Sequence, residues 1–469
     1  MPPASALRVA AALGLLRLCG APEPPTQVAD ALRENDECGA DSAEQCALSA
    51  MQLRARGRVS AGADATAVEK GEGNAGAASL KYDASWKALI TGASCPPTTA
   101  LEPKGGAQQG GELRCESAAG GRRHFTFPAG EFDIDEQVSV PAGTTIEGNA
   151  NPNDAPDRAQ QTFFVATKGV TNPHTPYCGT NKNLRQGEAQ QLRIGFLMNS
   201  NTVVKNINFQ GKDTTRPYDN GSLCGGAAFE TPGCVSPGFS NGVGNGWVGK
   251  TGCFDVAGRA NNLITGDGKG VENVVIDSVR LNDMLSGGQA TQIAVWVAQT
   301  QDGSATKNVR VTNLVSMLTR GDGINFHGNV QDSVVEDSRV ENTGDDIFAV
   351  WGGYATSPAG IVFRNNVGKN AGVTRNYGYG VCIAVYGAMD VTFTGNKCYD
   401  PPMNHACQHG AYCNSCMAYV HDLWFGAVYP QGDLITFHDN EYLSMEGVPI
   451  TDRPSIRTDK GSNAHIASS

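Results

Sequence analysis

Two segments of the chain carry aspartates in the same Gly-Asp setting, and aspartates can act as acid and base. Asp322 lies in Arg-Gly-Asp-Gly-Ile-Asn-Phe-His (320–327), and Asp345 and Asp346 lie in Asn-Thr-Gly-Asp-Asp-Ile-Phe-Ala-Val-Trp (342–351). Carboxylates held a few ångströms apart raise the pKa of at least one of them, which places a protonated acid beside an ionised base. That combination suits the hydrolysis of a sugar chain.

A short apolar strand pattern recurs along the chain and indicates how these aspartates are held. Its last five copies start near Val309 and are separated by steps of 25, 27, 30 and 43 residues. A β-sandwich would instead bring strands back every ~8–12 residues through hairpin turns. The repeat predicts a parallel β-solenoid, in which each coil buries its apolar face against the next. The copies occupy the following segments: 203–209, 271–277, 307–311, 332–336, 360–364, 390–394 and 433–437.

Aligning the two aspartate segments on Ile324 and Ile347 predicts that Asp322 lies over Asp345, on coils ~4.8 Å apart. Strict alternation would turn both of these acids inward, where an unpaired charge is costly. We therefore expect Gly321 and Gly344 to bend the corners and turn them outward. Alternation sends Ile324, Phe326, Ile347 and Ala349 inward and the following side chains outward: Asn325, His327, Asp346 and Phe348.

The motifs resemble those of glycoside hydrolase family 87, which contains α-1,3-glucanases and mycodextranases. The two aspartate segments are followed by a third element, Gly-Tyr-Gly-Val-Cys-Ile-Ala-Val-Tyr-Gly (378–387). Upstream, Phe-Pro-Ala-Gly-Glu-Phe (127–132) resembles the entry coils of pectin-lyase-like right-handed β-helices. The similarity is sharp over 320–396, loose over 124–445 and absent before about 80.

The resemblance implies an all-β fold, a single-stranded right-handed parallel β-helix. It also implies inverting hydrolysis of α-1,3-glucosidic bonds with Asp322, Asp345 and Asp346 as the catalytic residues and no required cofactor. The chain departs from the family at Ile347-Phe348, where Gly-Leu is expected, which affects the floor of the cleft. Residues expected to contact substrate are the following: Arg320, Asn325, His327, Trp351 and Tyr386.

Several roles stay open at this point. Asp345 and Asp346 are favoured as the water-activating pair and Asp322 as the acid, but these roles are interchangeable. Packing explains Trp351 and Tyr386 equally well, and His327, which could orient a sugar or tune Asp322, suits a solvent-facing position in its coil equally well. The three aspartates also have the hard oxygen ligands for a structural Ca²⁺, although no metal site is assigned. Five cysteines and histidines are of the types that bind zinc, but we interpret the group as part of a disulfide framework. They are Cys407, His409, Cys413, Cys416 and His421.

The net charge and the absence of certain motifs limit the classes of partner and substrate that the chain is expected to bind. The net charge of −11 disfavours binding of nucleic acid or of a polyanion. Polygalacturonase-like pectin hydrolysis is the nearest alternative, but the Arg-Ile-Lys that grips a uronate is absent, so a neutral α-glucan is favoured. A non-catalytic glycan-binding β-helix is the other alternative. It predicts at least one buried acid, whereas an enzyme predicts an open cleft.

The chain divides into segments of different composition. Residues 1–21 read as a secretory signal peptide, and 22–80 as a disordered pro-segment or linker. The β-helix is expected over 81–450, with a loop insert at 211–268, and 451–469 is expected to form a tail. Of 14 cysteines, 13 remain after the signal, which predicts disulfides in an exported chain. We expect a secreted monomer that binds no membrane.

Overall fold

The computed structural model describes the chain from residue 80 onward, with gaps. The described ranges are 80–92, 94–96, 98–104, 110–154, 157–168, 194–213, 252–256, 269–283, 288–297, 300, 302–352, 357–374, 380–400, 416–420, 434–451, 454–458 and 465–468. They belong to the second of two units, Gly76–Ser469. The signal peptide, nearly all of the pro-segment, most of the insert and four of the five cysteines and histidines of zinc-binding type lie outside the described residues.

Short strands dominate the described residues. One six-residue helix, α1, spans Trp86–Thr91. In chain order the strands are β1 Lys81–Tyr82, β2 Thr98–Ala100, β3 Glu112–Ala118, β4 Arg122–Thr126, β5 Gly130–Ile134, β6 Gln137–Val140, β7 Thr144–Glu147, β8 Thr162–Ala166, β9 Gly195–Met198, β10 Val203–Lys205, β11 Asn208–Gln210, β12 Gly252–Val256, β13 Glu272–Asp277, β14 Arg280–Leu281, β15 Ile293–Val297 and β16 Thr306–Thr312. The remaining strands are β17 Val315–Ser316, β18 Ile324–His327, β19 Val330–Glu336, β20 Arg339–Glu341, β21 Phe348–Trp351, β22 Ala359–Arg364, β23 Val367–Lys369, β24 Ile383–Tyr386, β25 Met389–Thr394, β26 Lys397–Asp400, β27 Ala418–Val420, β28 Leu434–His438, β29 Glu441–Ser444, β30 Ile456–Thr458 and β31 His465–Ser468.

The strands form three sheets that the chain visits in turn, which is the architecture of a right-handed parallel β-helix. Sheet A has ten strands in the order β1-β5-β8-β11-β14-β17-β20-β23-β26-β29. Sheet B has twelve, in the order β2-β3-β4-β7-β10-β13-β16-β19-β22-β25-β28-β31. Sheet C has nine, in the order β30-β27-β24-β21-β18-β15-β12-β9-β6. Pairing is parallel except among β2, β3 and β4, which are antiparallel.

The repeat found in the sequence corresponds to sheet B. Each of its seven copies contributes a strand to that sheet, from β10 to β28. Neighbouring copies are paired in parallel, with Val309 opposite Val274 and Val334 opposite Arg310. The predicted solenoid is therefore confirmed.

Left-handed corners connect sheet B to sheet A. The residue after most sheet B strands has a positive φ, a conformation that Asn and Asp tolerate better than most residues. Next to these corners, buried amides stack from coil to coil. Asn396 accepts a hydrogen bond at Oδ1 from the Asn366 backbone N–H at 3.0 Å, and its Nδ2 donates to the Phe363 carbonyl at 3.0 Å. The corner residues are Asn206, Ser278, Asn313, Asp337, Asn365, Gly395 and Asp439.

Apolar side chains from all three sheets fill the interior. At the N-terminal end, Trp86 of α1 is buried and packs edge-on against Phe127 and Phe164. Two disulfides join described residues, Cys95–Cys115 and Cys382–Cys398. Within the described ranges, no helix is long and apolar enough to cross a membrane.

The β-helix extends further in sequence than predicted at two places. Strand β12 lies inside the predicted insert and pairs with β9 and β15. Strands β30 and β31 lie in the predicted tail and pair with β27 and β28. Residues 451–469 therefore contribute strands to two sheets, β30 to sheet C and β31 to sheet B.

The asparagine stack should contribute measurably to stability. We expect Asn396→Ala to lower the free energy of unfolding by about 2–4 kcal/mol, because the Asn366 N–H and the Phe363 carbonyl lose their partner in the interior. Denaturant unfolding measures this. Lys307→Ala, at an exposed position on sheet B, is the control and should change stability by less than ~0.5 kcal/mol. Equal stability of the two variants would contradict the role of the stack.

Candidate active site

Sheet C departs from strict alternation at one position in each of five successive coils. There, two consecutive residues both pack into the interior, and the residue before them points outward. Gly323 belongs to the pattern, because a Cβ on it would run into the core residue Val340. The inward pairs are Ala294-Val295, Gly323-Ile324, Ile347-Phe348, Cys382-Ile383 and Met417-Ala418. The outward residues that precede them are Ile293, Asp322, Asp346, Val381 and Cys416.

The strand register corrects the predicted stacking of the acids. Ile324 lies opposite Phe348, not Ile347, and the Gly323 N–H donates to the Asp346 carbonyl at 2.9 Å. Asp322 therefore stacks over Asp346 instead of Asp345. Phe348 is inward and Ala349 outward, the reverse of the prediction. The predicted outward positions of Asn325, His327 and Asp346 are confirmed.

The three aspartates come together on the outer face of sheet C. One carboxylate oxygen of each lies within 4.8 Å of the others. All three side chains are buried, with exposures of 0% for Asp322, 3% for Asp345 and 1% for Asp346. Among the described residues, the three acid side chains are therefore closed to solvent, as the non-catalytic alternative predicts, and they do not line the open cleft that an enzyme predicts.

Two of the carboxylates are held by side chains that the sequence had assigned to substrate. Asn325 donates from Nδ2 to Asp322 Oδ2 at 2.7 Å. Tyr386 donates from its hydroxyl to Asp346 Oδ2 at 3.1 Å, and the Val381 N–H donates to Asp346 Oδ1 at 2.9 Å. Both oxygens of Asp346 are thus fixed by the coil of β24.

Burial and neighbouring charge raise the pKa of Asp346 well above its usual range. Burial is the largest cause, and the negative charges of Asp345 and Asp322 add to it. The Val381 N–H and the Tyr386 hydroxyl act in the opposite direction. In the outward position of successive coils, Ile293 and Val381 lie on either side of the stacked acids Asp322 and Asp346. Their apolar side chains take the place of water at both ends of this column. Burial and the two neighbouring charges therefore favour the protonated form of Asp346.

Asp345 is positioned by its backbone, without left-handed glycines. Gly321 and Gly344 have no positive φ, so they do not bend the corners in the predicted way. Gly344 is needed for a close approach, because a Cβ there would collide with the Arg320 carbonyl. The N–H groups of Gly344 and Asp345 both donate to the Gly321 carbonyl, at 2.9 and 3.2 Å. Thr343 donates from its hydroxyl to the Asp345 carbonyl at 2.6 Å.

The predicted aromatic contacts form one row of rings beside the acids. His327 lies between Trp296 and Trp351, with edge-on centroid distances of 6.0 and 5.9 Å. Trp351 in turn packs edge-on against Tyr386 at 5.2 Å. All four side chains are buried, so they pack against one another. For Trp351 and Tyr386 packing was the alternative to sugar stacking, whereas the solvent-facing position considered for His327 is wrong.

Arg320 was expected to contact substrate, but its guanidinium is hydrogen-bonded to backbone carbonyls of the protein. Its guanidinium donates to the carbonyls of Asp213 and Gly288, and so links the end of β11 to the turn before β15. Burial lowers its pKa, an effect that the charge of Asp213 opposes. The structure therefore does not bring the Arg320 side chain to the acids.

Sequence reasoning missed Val381, Thr343 and Trp296. Val381 acts through its backbone N–H, which leaves no trace in residue type. Thr343 could have been found from the sequence, because Thr319 and Thr291 stand at the equivalent position of the two preceding coils. Trp296 ends the segment Gln-Ile-Ala-Val-Trp (292–296), whose apolar pattern resembles that of the two aspartate coils.

Comparisons with solved structures find likeness in fold. No protein-family model matches the chain, and a comparison with curated proteins finds no match. The catalytic domain of a GH87 α-1,3-glucanase variant in complex with tetrasaccharides is 13% identical, with a TM-score of 0.39 over 73% of this chain and 52% of that one. The chain thus spans about half the length of that domain.

Two further structures of different function are similarly related. The surface protein and adhesin PfbA of Streptococcus pneumoniae is 12% identical, with a TM-score of 0.36 over 74% of this chain and 91% of that one. An alginate lyase from Paenibacillus sp. str. FPU-7 is 11% identical, with a TM-score of 0.34 over 70% of this chain and 91% of that one. At these values the matches concern the fold, and the function has to be argued from the site.

The raised pKa of Asp346 predicts a pH-dependent cost in stability. A carboxyl whose folded pKa is raised binds more protons when folded, so stability falls as pH rises from about 4 until it passes the folded pKa. We expect Asp346→Asn to remove this cost. The variant should match the wild type near pH 4 and exceed it above, by up to ~1.4 kcal/mol per pH unit across that window.

Thermal unfolding between pH 4 and 9 measures the effect. Asp302→Asn is the matched control, because Asp302 is exposed and its pKa is lowered by hydrogen bonds from Ser304. That variant should show no gain at neutral pH. A wild type and an Asp346→Asn variant with parallel pH profiles would contradict the assignment.

Proposed function

We propose that this chain is a secreted glycoside hydrolase that cleaves α-1,3-glucosidic bonds of a neutral α-glucan with inversion. One observation supports it most: three buried carboxyl groups within 4.8 Å on one face of a β-helix, with the pKa of Asp346 raised. Two disulfides among the described residues agree with export. The chain would act as a monomer on its polysaccharide.

In this proposal Asp346 is the general acid. It donates its proton to the glycosidic oxygen as the bond to the anomeric carbon breaks. Asp322 or Asp345 accepts a proton from the water that attacks the anomeric carbon from the opposite side. The sequence had favoured Asp322 as the acid, but the pKa direction supports Asp346 for that role.

A neutral substrate fits the charges at the site. A uronate would bring a further negative charge to three clustered carboxyl groups, and among the described residues the charges that act on Asp346 are those of Asp345 and Asp322. Arg320, the nearest predicted cation, has its guanidinium on the carbonyls of Asp213 and Gly288. Binding a neutral glucan costs only the removal of water from its hydroxyl groups, whereas binding pectin adds repulsion between negative charges. Pectin is therefore expected to be the weaker substrate.

Catalysis requires the site to open. An inverting acid and base are usually ~6.5–9.5 Å apart, which leaves room for water, and the nearest oxygens here lie within 4.8 Å. Because the three side chains are closed to solvent, the site has to open before a glucan can reach them. The same movement would have to separate the acid and base.

A non-catalytic glycan-binding β-helix is the second candidate. The complete burial of all three carboxyl groups favours it, because such a protein has no need to expose them. It would bind glycans through another face and release no sugar. Hydrolysis therefore separates the two candidates.

The test is incubation with soluble α-1,3-glucan oligosaccharides, followed by NMR of the anomeric protons. We expect release of sugar whose first-formed reducing end is the β-anomer. Asp322→Asn, Asp345→Asn and Asp346→Asn should each lower kcat by about 10²–10⁴-fold, because each removes a group that moves or holds a proton. Asp302→Asn is the control and should keep wild-type activity.

Other outcomes have definite meanings. Release of the α-anomer first would exclude inversion, and release from polygalacturonate alone would exclude a neutral substrate. Sugar binding without release would support the non-catalytic candidate. Activity that EDTA removes and Ca²⁺ restores would show that the chain needs the cation, whereas we expect no effect of either.

A further inference from the structure

The Tyr386 hydroxyl and the Val381 N–H hold Asp346 from the neighbouring coil. They donate to the two different oxygens of that carboxyl group, at 3.1 and 2.9 Å. With both oxygens held, the group cannot rotate about its last bond without losing a hydrogen bond. Its orientation toward Asp322 and Asp345 is therefore set by the coil that contains β24.

Small residues let Tyr386 reach this acid. On the outer face of sheet C, Tyr386 and Asp346 lie in different columns, and the column between them holds Ala349 and Ala384. Both alanines are fully buried and pack in the same outer apolar layer as Tyr386. A larger side chain at either position would stand between the hydroxyl and the carboxyl group.

The coil of Asp322 has a different arrangement at the same place. Asn325 occupies the column of the alanines there, and its amide donates to Asp322 within one coil. Asp346 has Ala349 in that position and so depends on the next coil. The two stacked acids thus have separate partners of different chemistry: an amide for one and a phenol for the other.

We propose that Tyr386 is a positioning residue that orients the carboxyl group of Asp346, and not a platform on which sugar stacks. Its effect on turnover rests on the function proposed above. Among the described residues, the titratable groups that face Asp346 are Asp345, Asp322 and Tyr386 itself. His327, in the coil of Asp322, is in the row of rings and contacts Trp351.

Tyr386→Phe and Tyr386→Leu distinguish positioning from stacking. If Tyr386 positions Asp346, the Phe variant should lose about 10-fold in kcat with KM within ~2-fold, because a single hydrogen bond to the carboxyl group is lost. The alkaline limb of its pH–rate profile should move to higher pH. A platform would keep wild-type kinetics in Phe and raise KM in Leu, and that pattern would overturn the proposal.

A second readout does not depend on activity. Loss of the hydroxyl should extend the pH range over which stability falls, because the folded pKa of Asp346 then rises further. The pH at which the melting temperature stops falling should be higher in Tyr386→Phe than in the wild type. If the wild type releases no sugar, the proposed function fails while this readout still decides the role of Tyr386, and an unchanged pH would refute it.

Tyr82→Phe is the matched control. The Tyr82 hydroxyl accepts a hydrogen bond from the Gly111 N–H at 2.8 Å, near the N-terminal end of the β-helix. This substitution also removes one hydroxyl and one hydrogen bond. It should lower the melting temperature equally at all pH values and leave the pH–rate profile unchanged.

Discussion

The doubled inward residues of sheet C are the constraint on which the site depends. Strict alternation counted back from the inward residues Ile324 and Phe348 would send Asp322 and Asp346 into the core. Because each coil places two consecutive residues inside, Asp322 and Asp346 are turned to the outer face. The same irregularity recurs in five successive coils, so the ladders stay in register.

Electrostatics follow from this geometry. Stacked acids on parallel strands lie about one strand spacing apart, and the apolar ends of their column remove water from them. Three negative charges at that spacing and burial would be very unfavourable. A raised pKa of Asp346 lowers this cost, and the hydrogen bonds from Tyr386 and Val381 stabilise the charged form of the group. The direction of the pKa shift thus follows from the way the coils are stacked.

The sequence predicts the repeat, the parallel sheets and the meeting of the three acids, because periodicity and residue type carry that information. It misleads on the register. Gly323 occupies an inward position without a side chain. Matching the identical Gly-Asp-x-Ile letters therefore pairs Ile324 with Ile347, whereas its partner in the sheet is Phe348. The consecutive apolar residues of the neighbouring coils, such as Cys382-Ile383, hold the correct signal. Burial of the site and the use of Asn325 and Tyr386 depend on side-chain packing across coils, which spacing along one chain does not reveal.

Burial and the adjacent acids Asp322 and Asp345 favour the protonated form of Asp346. Carboxyl ¹³C NMR titration of Asp346 measures this effect, in the wild type and in Asp322→Asn and Asp345→Asn. We predict that Asp346 titrates well above the usual range of an aspartate near 4, and that each substitution moves its pKa downward. Titration near 4 in the wild type, unchanged in both variants, would contradict the account.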